Sequence, residues 1–183
     1  MEKNLNECMT VRLGLLLLLL SGYGCGDPLT AEQAFAEGEY DVAYPLWRDR
    51  AVQGEAGAQN YLGVHYYMGL GVERDLPLAL KWFTAAAKQG DPEGQRHLGM
   101  MYHNGYATGQ DFVSAYMWYY AAYRQGNPGA KRYMDSLSEE NKLSPNQMNQ
   151  AKGQAAEFII NAVVTEQGSE GKLFQGQQAK SPF

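Results

Sequence analysis

The sequence predicts an all-α protein, a short α/α solenoid of antiparallel helix pairs preceded by a signal segment and closed by a C-terminal capping helix. Three observations predict it. Residues 55–90 laid over 91–126 without a gap share 12 identities, far above the two or three that chance gives. Each copy holds two helix-length segments punctuated by Gly and by Asp-Pro or Asn-Pro. Both cysteines, Cys8 and Cys25, fall before the repeats, so the folded part is expected to be held by packing alone.

The identities are evenly spread. Gln59 meets Gln95, Leu62 meets Leu98, Gly63 meets Gly99 and Tyr66 meets Tyr102. Gly69, Asp75, Ala79 and Trp82 meet Gly105, Asp111, Ala115 and Trp118, and Ala85-Ala86 and Gln89-Gly90 meet Ala121-Ala122 and Gln125-Gly126. The offset also reaches back through Ala43, Ala51 and Gln53-Gly54 and forward through Pro128 and Arg132.

Residues 30–54 are expected to form an N-terminal capping pair, because a helix stack exposes apolar faces at its ends. Thr30-Ala31-Glu32-Gln33 reads as a capping box for a helix to about Glu37. Gly38-Glu39 turns the chain into Tyr40–Val52. In the first full repeat, 55–90, a first helix spans Ala56–Met68, with Leu62 and Tyr66 on one face and Gly69 as left-handed cap. A second helix runs from Leu76 to Gln89, with Asp75 as N-cap and a buried stripe of Ala79, Trp82 and Ala86. Repeat 91–126 copies this with Pro92–Asn104 and Phe112–Gln125. Leu62, Gly63, Tyr66, Trp82, Leu98, Gly99, Tyr102 and Trp118 are the expected repeat core. Gly63 and Gly99 sit mid-helix, where Gly costs about 1 kcal/mol relative to Ala. That cost implies close helix approach, with Ala86 and Ala122 as the expected small partner surface.

Residues 127–165 are expected to close the stack with helices over Ala130–Leu137 and from Ser144 to about Val164, the second opened by the Ser-Pro-Asn-Gln capping box. Residues 166–183, rich in Gly, Gln, Ser and Lys, read as a disordered tail.

Residues 1–24 read as a removable signal peptide, with an apolar run from Val11 to Leu20, broken by Arg12, that is too short to span a membrane. Met9 is a candidate start, because Met9-Thr10-Val11-Arg12 makes a compact basic lead. Leu19-Leu20-Ser21-Gly22-Tyr23-Gly24-Cys25 resembles a bacterial lipoprotein signal, which implies lipidation of Cys25 and a linker over 25–29. Gly22 and Tyr23 depart from that pattern, so ordinary secretory cleavage and an uncleaved anchor stay open. The expected location is the periplasmic side of an outer or inner membrane, with a soluble periplasmic or secreted form as alternative.

The repeated positions, from Leu62-Gly63, Tyr66, Gly69-Leu70-Gly71-Val72 and Asp75 through Trp82-Phe83, Ala86-Ala87 and Gln89-Gly90, resemble the Sel-1-like repeat, a relative of the tetratricopeptide repeat. The second copy departs at Ala107 and Thr108, where the family has Gly-Val, so that loop is expected to differ in shape. The resemblance implies an adaptor or scaffold whose first helices line the concave side. On them Tyr61, His65 and Met68, and then His97, Met101 and Asn104, form the expected partner-binding rows, flanked by Tyr67 and His103.

A net charge of −5 with no basic run argues against nucleic-acid binding. The three histidines, His65, His97 and His103, form no His-Glu-x-x-His, and no phosphate loop or Ser-His-Asp pattern is visible. No catalytic residue, metal or cofactor is expected. The expected function is a non-catalytic protein-binding scaffold of the cell envelope, with envelope proteins as partners and membrane contact only through the lipid. A peptidoglycan- or glycan-binding module is the alternative, and a cell-envelope hydrolase a more distant one. The oligomeric state stays open.

Overall fold

A computed structural model describes residues 29–160. The leader, Cys25, the end of the closing helix and the tail lie outside the described residues. Within them the chain forms eight helices and no strand. They are α1 (Ala31–Glu37), α2 (Tyr40–Val52), α3 (Ala56–Met68), α4 (Leu76–Lys88), α5 (Pro92–Asn104), α6 (Phe112–Arg124), α7 (Pro128–Glu139) and α8 (145–160).

Local chemistry sets the boundaries. Thr30 and Gln33 close a reciprocal capping box on α1. Asp75, Asp91, Asp111 and Asn127 each accept a backbone N–H from the first turn of α4, α5, α6 and α7. Gly69 and Gly105, at φ 74° and 69°, cap α3 and α5. Each connecting loop then ties back to its first helix: the Asp75 N–H donates to the Tyr66 carbonyl at 2.9 Å and the Asp111 N–H to the Tyr102 carbonyl at 3.0 Å. Arg74 Nε donates to the Tyr67 carbonyl, and Gln110 Nε2 donates to the His103 carbonyl at the same place in the second loop. The expected difference between the two loops is therefore small. Ala107 holds φ 57° where Gly71 holds 64°, so the turn is kept by a residue that adopts the left-handed region at a cost.

Consecutive helices pack as antiparallel neighbours, and α3 also meets α5 directly, whereas α4 and α6 approach less closely among the described residues. In the two full repeats the first helices, α3 and α5, therefore lie on the inner side of the curve. On first helices the buried positions recur at thirty-six residues: Ala58, Gly94 and Ala130; Leu62, Leu98 and Met134; His65, Met101 and Leu137. On second helices Ala43, Ala79, Ala115 and Ala151 recur in the same way, all with no exposed surface. Helices α7 and α8 thus continue the recurrence as a third unit.

Buried glutamines stitch the units. Gln59 Nε2 donates to the Ala51 carbonyl of the preceding second helix and accepts from Gln89 Nε2 at 2.7 Å. Gln95 repeats both bonds, with the Ala87 carbonyl and with Gln125. These bonds explain why Gln recurs at both positions: each satisfies a buried polar group that an apolar residue would leave unpaired.

An aromatic column fills the joints. Trp47, Phe83 and Tyr119 stand thirty-six apart on α2, α4 and α6, and are 2%, 0% and 0% exposed. Each lies against a ring of the next first helix, also thirty-six apart: Trp47 on Tyr61 at 4.2 Å, Phe83 on His97 at 4.8 Å, and Tyr119 on Tyr133 at 5.1 Å between centroids. This corrects the expected stripe. Trp82 is half-buried beside Leu62, and Trp118 rests against Phe158 of α8, while the residue after each Trp fills the joint. It also corrects the partner of the mid-helix glycines. A Cβ on Gly63 would stand 2.6 Å from Phe83 Cδ1, and one on Gly99 would stand 2.7 Å from Tyr119 Cδ1. Ala86 instead faces Gly94.

Candidate functional site

A first helix in this stack has two flanks to bury, one against its own second helix and one against the preceding one. The arc that α3 packs therefore takes in buried Ala58, Leu62 and His65 and half-buried Tyr61, wider than the Leu62–Tyr66 stripe. Of the core residues expected from the sequence, Leu62, Gly63, Leu98, Gly99 and Trp118 are buried, while Tyr66, Trp82 and Tyr102 are half-buried. Tyr66 shares a 2.9 Å hydrogen bond with the Tyr44 hydroxyl.

The expected partner rows divide. His65 and Met101 have no exposed surface and are core residues, which takes them out of an exposed row. Spacing from Tyr61 or His97 marks a face of the helix but not which neighbour that face meets. The His65 Nδ1–H donates to the Leu70 carbonyl at 2.6 Å, and Phe35, Tyr40 and Tyr44 surround the ring. Its Nε2 has no partner, and burial pushes its pKa below the ordinary histidine value. Tyr61 and His97 are half-buried parts of the aromatic column. Met68, at 60% exposed, and Asn104 face solvent.

His97 also belongs to a polar chain that crosses the first helices. Its Nδ1–H donates to Asn60 Oδ1 of α3 at 2.7 Å, and its Nε2 accepts from Arg96 Nη2 at 2.7 Å. Arg96 pairs with Glu93, and Glu93 accepts from Asn127 at the start of α7. Burial and the neighbouring guanidinium together lower the His97 pKa to about 4.

The inner side carries a different set of residues from the expected rows. Val64, Tyr67 and Met68 of α3 are followed thirty-six residues on by Met100, His103 and Asn104 of α5, none of them fully buried. The Tyr67 ring stands 5.9 Å from that of Tyr106, and the Arg74 guanidinium lies over Tyr67 at 5.8 Å. Arg132 of α7 lies over Tyr133 at 5.5 Å. Arg96 of α5 reaches α7, with its Cδ 3.6 Å from where a Gly129 Cβ would be. The sequence held a signal for this set, since Asn60, Arg96 and Arg132 share one repeat position.

Among the described residues no group of three or more His, Cys, Asp or Glu could hold a metal ion. None of their helices is long and apolar enough to cross a membrane. What the inner side offers is apolar contact, phenol hydroxyls and guanidinium groups, which suit binding.

The family model of the Sel1 repeat matches residues 56–91 and 92–127, one residue later than the frame read from the recurrence. No curated protein matches the chain. A solved protective antigen present in uropathogenic Escherichia coli strains, displaying an SLR fold, is similar at 27% identity and a TM-score of 0.64, over 84% of this chain and 32% of its own. A Sel1 repeat protein from Oxalobacter formigenes is similar at 30% identity and a TM-score of 0.57, over 70% of this chain and 54% of its own. The chain thus spans about a third and about half of the length of these two solved proteins.

Proposed function

We propose, from the premise that residues 56–127 are two Sel1 repeats, that this protein is a non-catalytic docking module of the bacterial cell envelope, held at a membrane by lipid on Cys25. Sel1 repeats are protein-interaction scaffolds, and an all-α repeat stack carries the same role here. The observation that carries the reading is the inner face of the first helices. Tyr67, Met68, Met100 and His103 lie there on a frame whose interior is closed by the aromatic column and the glutamine bonds. Exposed aromatic and methionine side chains on a rigid frame bury a partner's surface at small entropic cost. The envelope location rests on the leader and on the Gly24-Cys25 junction.

Two measurements on the full chain in bacterial cells test this. A photo-crosslinking residue at Met68, on the inner side, is expected to give discrete protein adducts, and the same residue at Lys81, exposed on α4, is expected to give none. Equal adducts from both positions, or none from Met68, would remove the docking face. Mass spectrometry of the mature N-terminus is expected to find acylated Cys25. An unmodified N-terminus would remove the anchor and leave the docking face standing.

A further inference from the structure

We propose that the N-terminal helix pair, α1 and α2, is a cap that acid releases from the first repeat, with His65 as its latch. The inference depends neither on the docking face nor on the lipid anchor.

Geometry carries it. His65 has no exposed surface and stands at a repeat position filled elsewhere by Met101 and Leu137. Its ring meets Phe35 of α1 at 5.5 Å, Tyr44 of α2 at 5.8 Å and Tyr40, the first residue of α2, at 6.3 Å, each edge to face. The Nδ1–H is committed to the Leu70 carbonyl in the loop after α3, which leaves Nε2 as a buried lone pair without a donor. The same loop touches the cap directly. A Cβ on Gly71 would stand 2.6 Å from the Tyr40 carbonyl carbon. Helix α1, helix α2 and the loop therefore converge on one histidine ring. Trp47 Nε1, in the same joint, is also buried without a partner, whereas Phe83 in the next joint has no polar atom to leave unpaired. Separating the cap from α3 thus hydrates two ring nitrogens that docking keeps dry.

The chemistry of the ring sets the direction. A proton added to His65 enters at Nε2 and creates a cation, with an N–H that the docked joint does not hydrate. The titratable groups that face it are the phenols of Tyr40 and Tyr44, and no charged side chain is among the groups that shift it. The aromatic faces return part of the cost. Burial still outweighs the Leu70 carbonyl and favours the neutral ring. Once the cap has opened, the ring takes its proton at the ordinary histidine value of about 6.5. Docking is therefore fully supported above that value and weakens as the pH falls below it. The ion pairs at the other end of α2 do not follow. Arg50 binds Glu32 of α1 and Glu55 at the start of α3, and it holds both carboxylates below their ordinary range, so this clasp stays charged while His65 titrates.

The test is native-state amide hydrogen exchange on the full chain, read by mass spectrometry and corrected for the intrinsic pH dependence of exchange. The amides of α1 and α2 are expected to be less protected than those of α5 and α6, and to lose about tenfold or more of their protection between about pH 7.5 and about pH 5. In His65→Met, which borrows the residue of the same repeat position in α5, that loss is expected to vanish. A second variant keeps the ring and loosens its seat. Ala107 holds the turn of Gly71 in the second loop, so Gly71→Ala disturbs chiefly the contact with Tyr40. It is expected to lower the protection of α1 and α2 about tenfold at every pH and to keep the fall with acid. Protection of α1 and α2 that is indifferent to pH, that equals that of α5 and α6 throughout, or that still falls in His65→Met overturns the latch. Protection unchanged in Gly71→Ala overturns it as well.

Discussion

Replacing Phe83 by alanine is expected to lower the unfolding free energy by about 3–5 kcal/mol. The ring has no exposed surface and is packed between the α3 backbone at Gly63 and the His97 ring of the next unit. Its removal opens a cavity at the joint of the two repeats, where neither helix can close in without disturbing the glutamine bonds on either side. Gly63→Ala alone is expected to cost about 1–3 kcal/mol for the opposite reason, since its new methyl would stand 2.6 Å from two carbons of Phe83. The double variant is then expected to lose less than the sum, with a coupling of about 1–2 kcal/mol, because the methyl enters the space that the ring leaves. The third unit already carries such a pairing: the position of Phe83 is Ala155, and that of Gly63 is Asp135. Urea unfolding of the four proteins, followed by circular dichroism at neutral pH, measures the cycle. Strict additivity would mean that ring and glycine do not share one joint.

This coupling explains which parts of the fold were legible in the sequence. Identity at the thirty-six-residue offset found the repeat, its caps and its glycines, because N-caps and left-handed turns accept few residue types. It misplaced the aromatic stripe. Trp82 and Trp118 are identical and drew the assignment, whereas the joint is filled by Trp47, Phe83 and Tyr119, which keep ring size but not identity. The third unit was read only as capping helices for a similar reason. Once Ala155 replaces the ring, the glycine is no longer required, and the two strongest marks of the repeat disappear together. Of the residues identical in both full repeats, only the alanine at 79 and 115 continues, to 43 and 151, because a side chain larger than a methyl does not fit where paired helices cross.

The candidate face was half legible for a geometric reason. Spacing by four and seven shows that Tyr61, His65 and Met68 share a side of α3, yet it does not say which neighbour that side meets. With a second helix on each flank, the arc from Tyr61 to His65 turns inward, and only Met68, at the helix end, escapes. Tyr67, expected merely to flank the row, sits at its centre, and Arg74 reaches it from a loop that helical periodicity does not describe.

Acidification is expected to loosen the same joint through His97. Its ring is half-buried, with the Nδ1–H committed to Asn60 and the Nε2 lone pair committed to an Arg96 N–H. A second proton would have to enter at Nε2, placing a new N–H against the guanidinium and adding charge beside charge. The folded state therefore takes up that proton only near pH 4, against about 6.5 in the unfolded chain. Between those values the unfolded chain binds more protons. The stability contributed by neutral His97 is thus complete above about pH 6.5 and is lost as pH falls toward about 4, by about 3 kcal/mol in all. His65 and His103, whose pKa values are also lowered by burial, act in the same direction, so the wild-type profile is a sum. His97→Tyr separates it. Tyrosine occupies this position in the neighbouring units as Tyr61 and Tyr133, each stacked on the ring before it, so the column survives while the titrating group is removed. Urea midpoints measured from pH 7.5 down to about 4 are expected to fall steeply in the wild type and less than half as steeply in the variant. A variant as acid-labile as its parent would place the sensitivity at His65 or His103, and would leave the Asn60–His97–Arg96 chain as a connection between repeats that does not respond to pH.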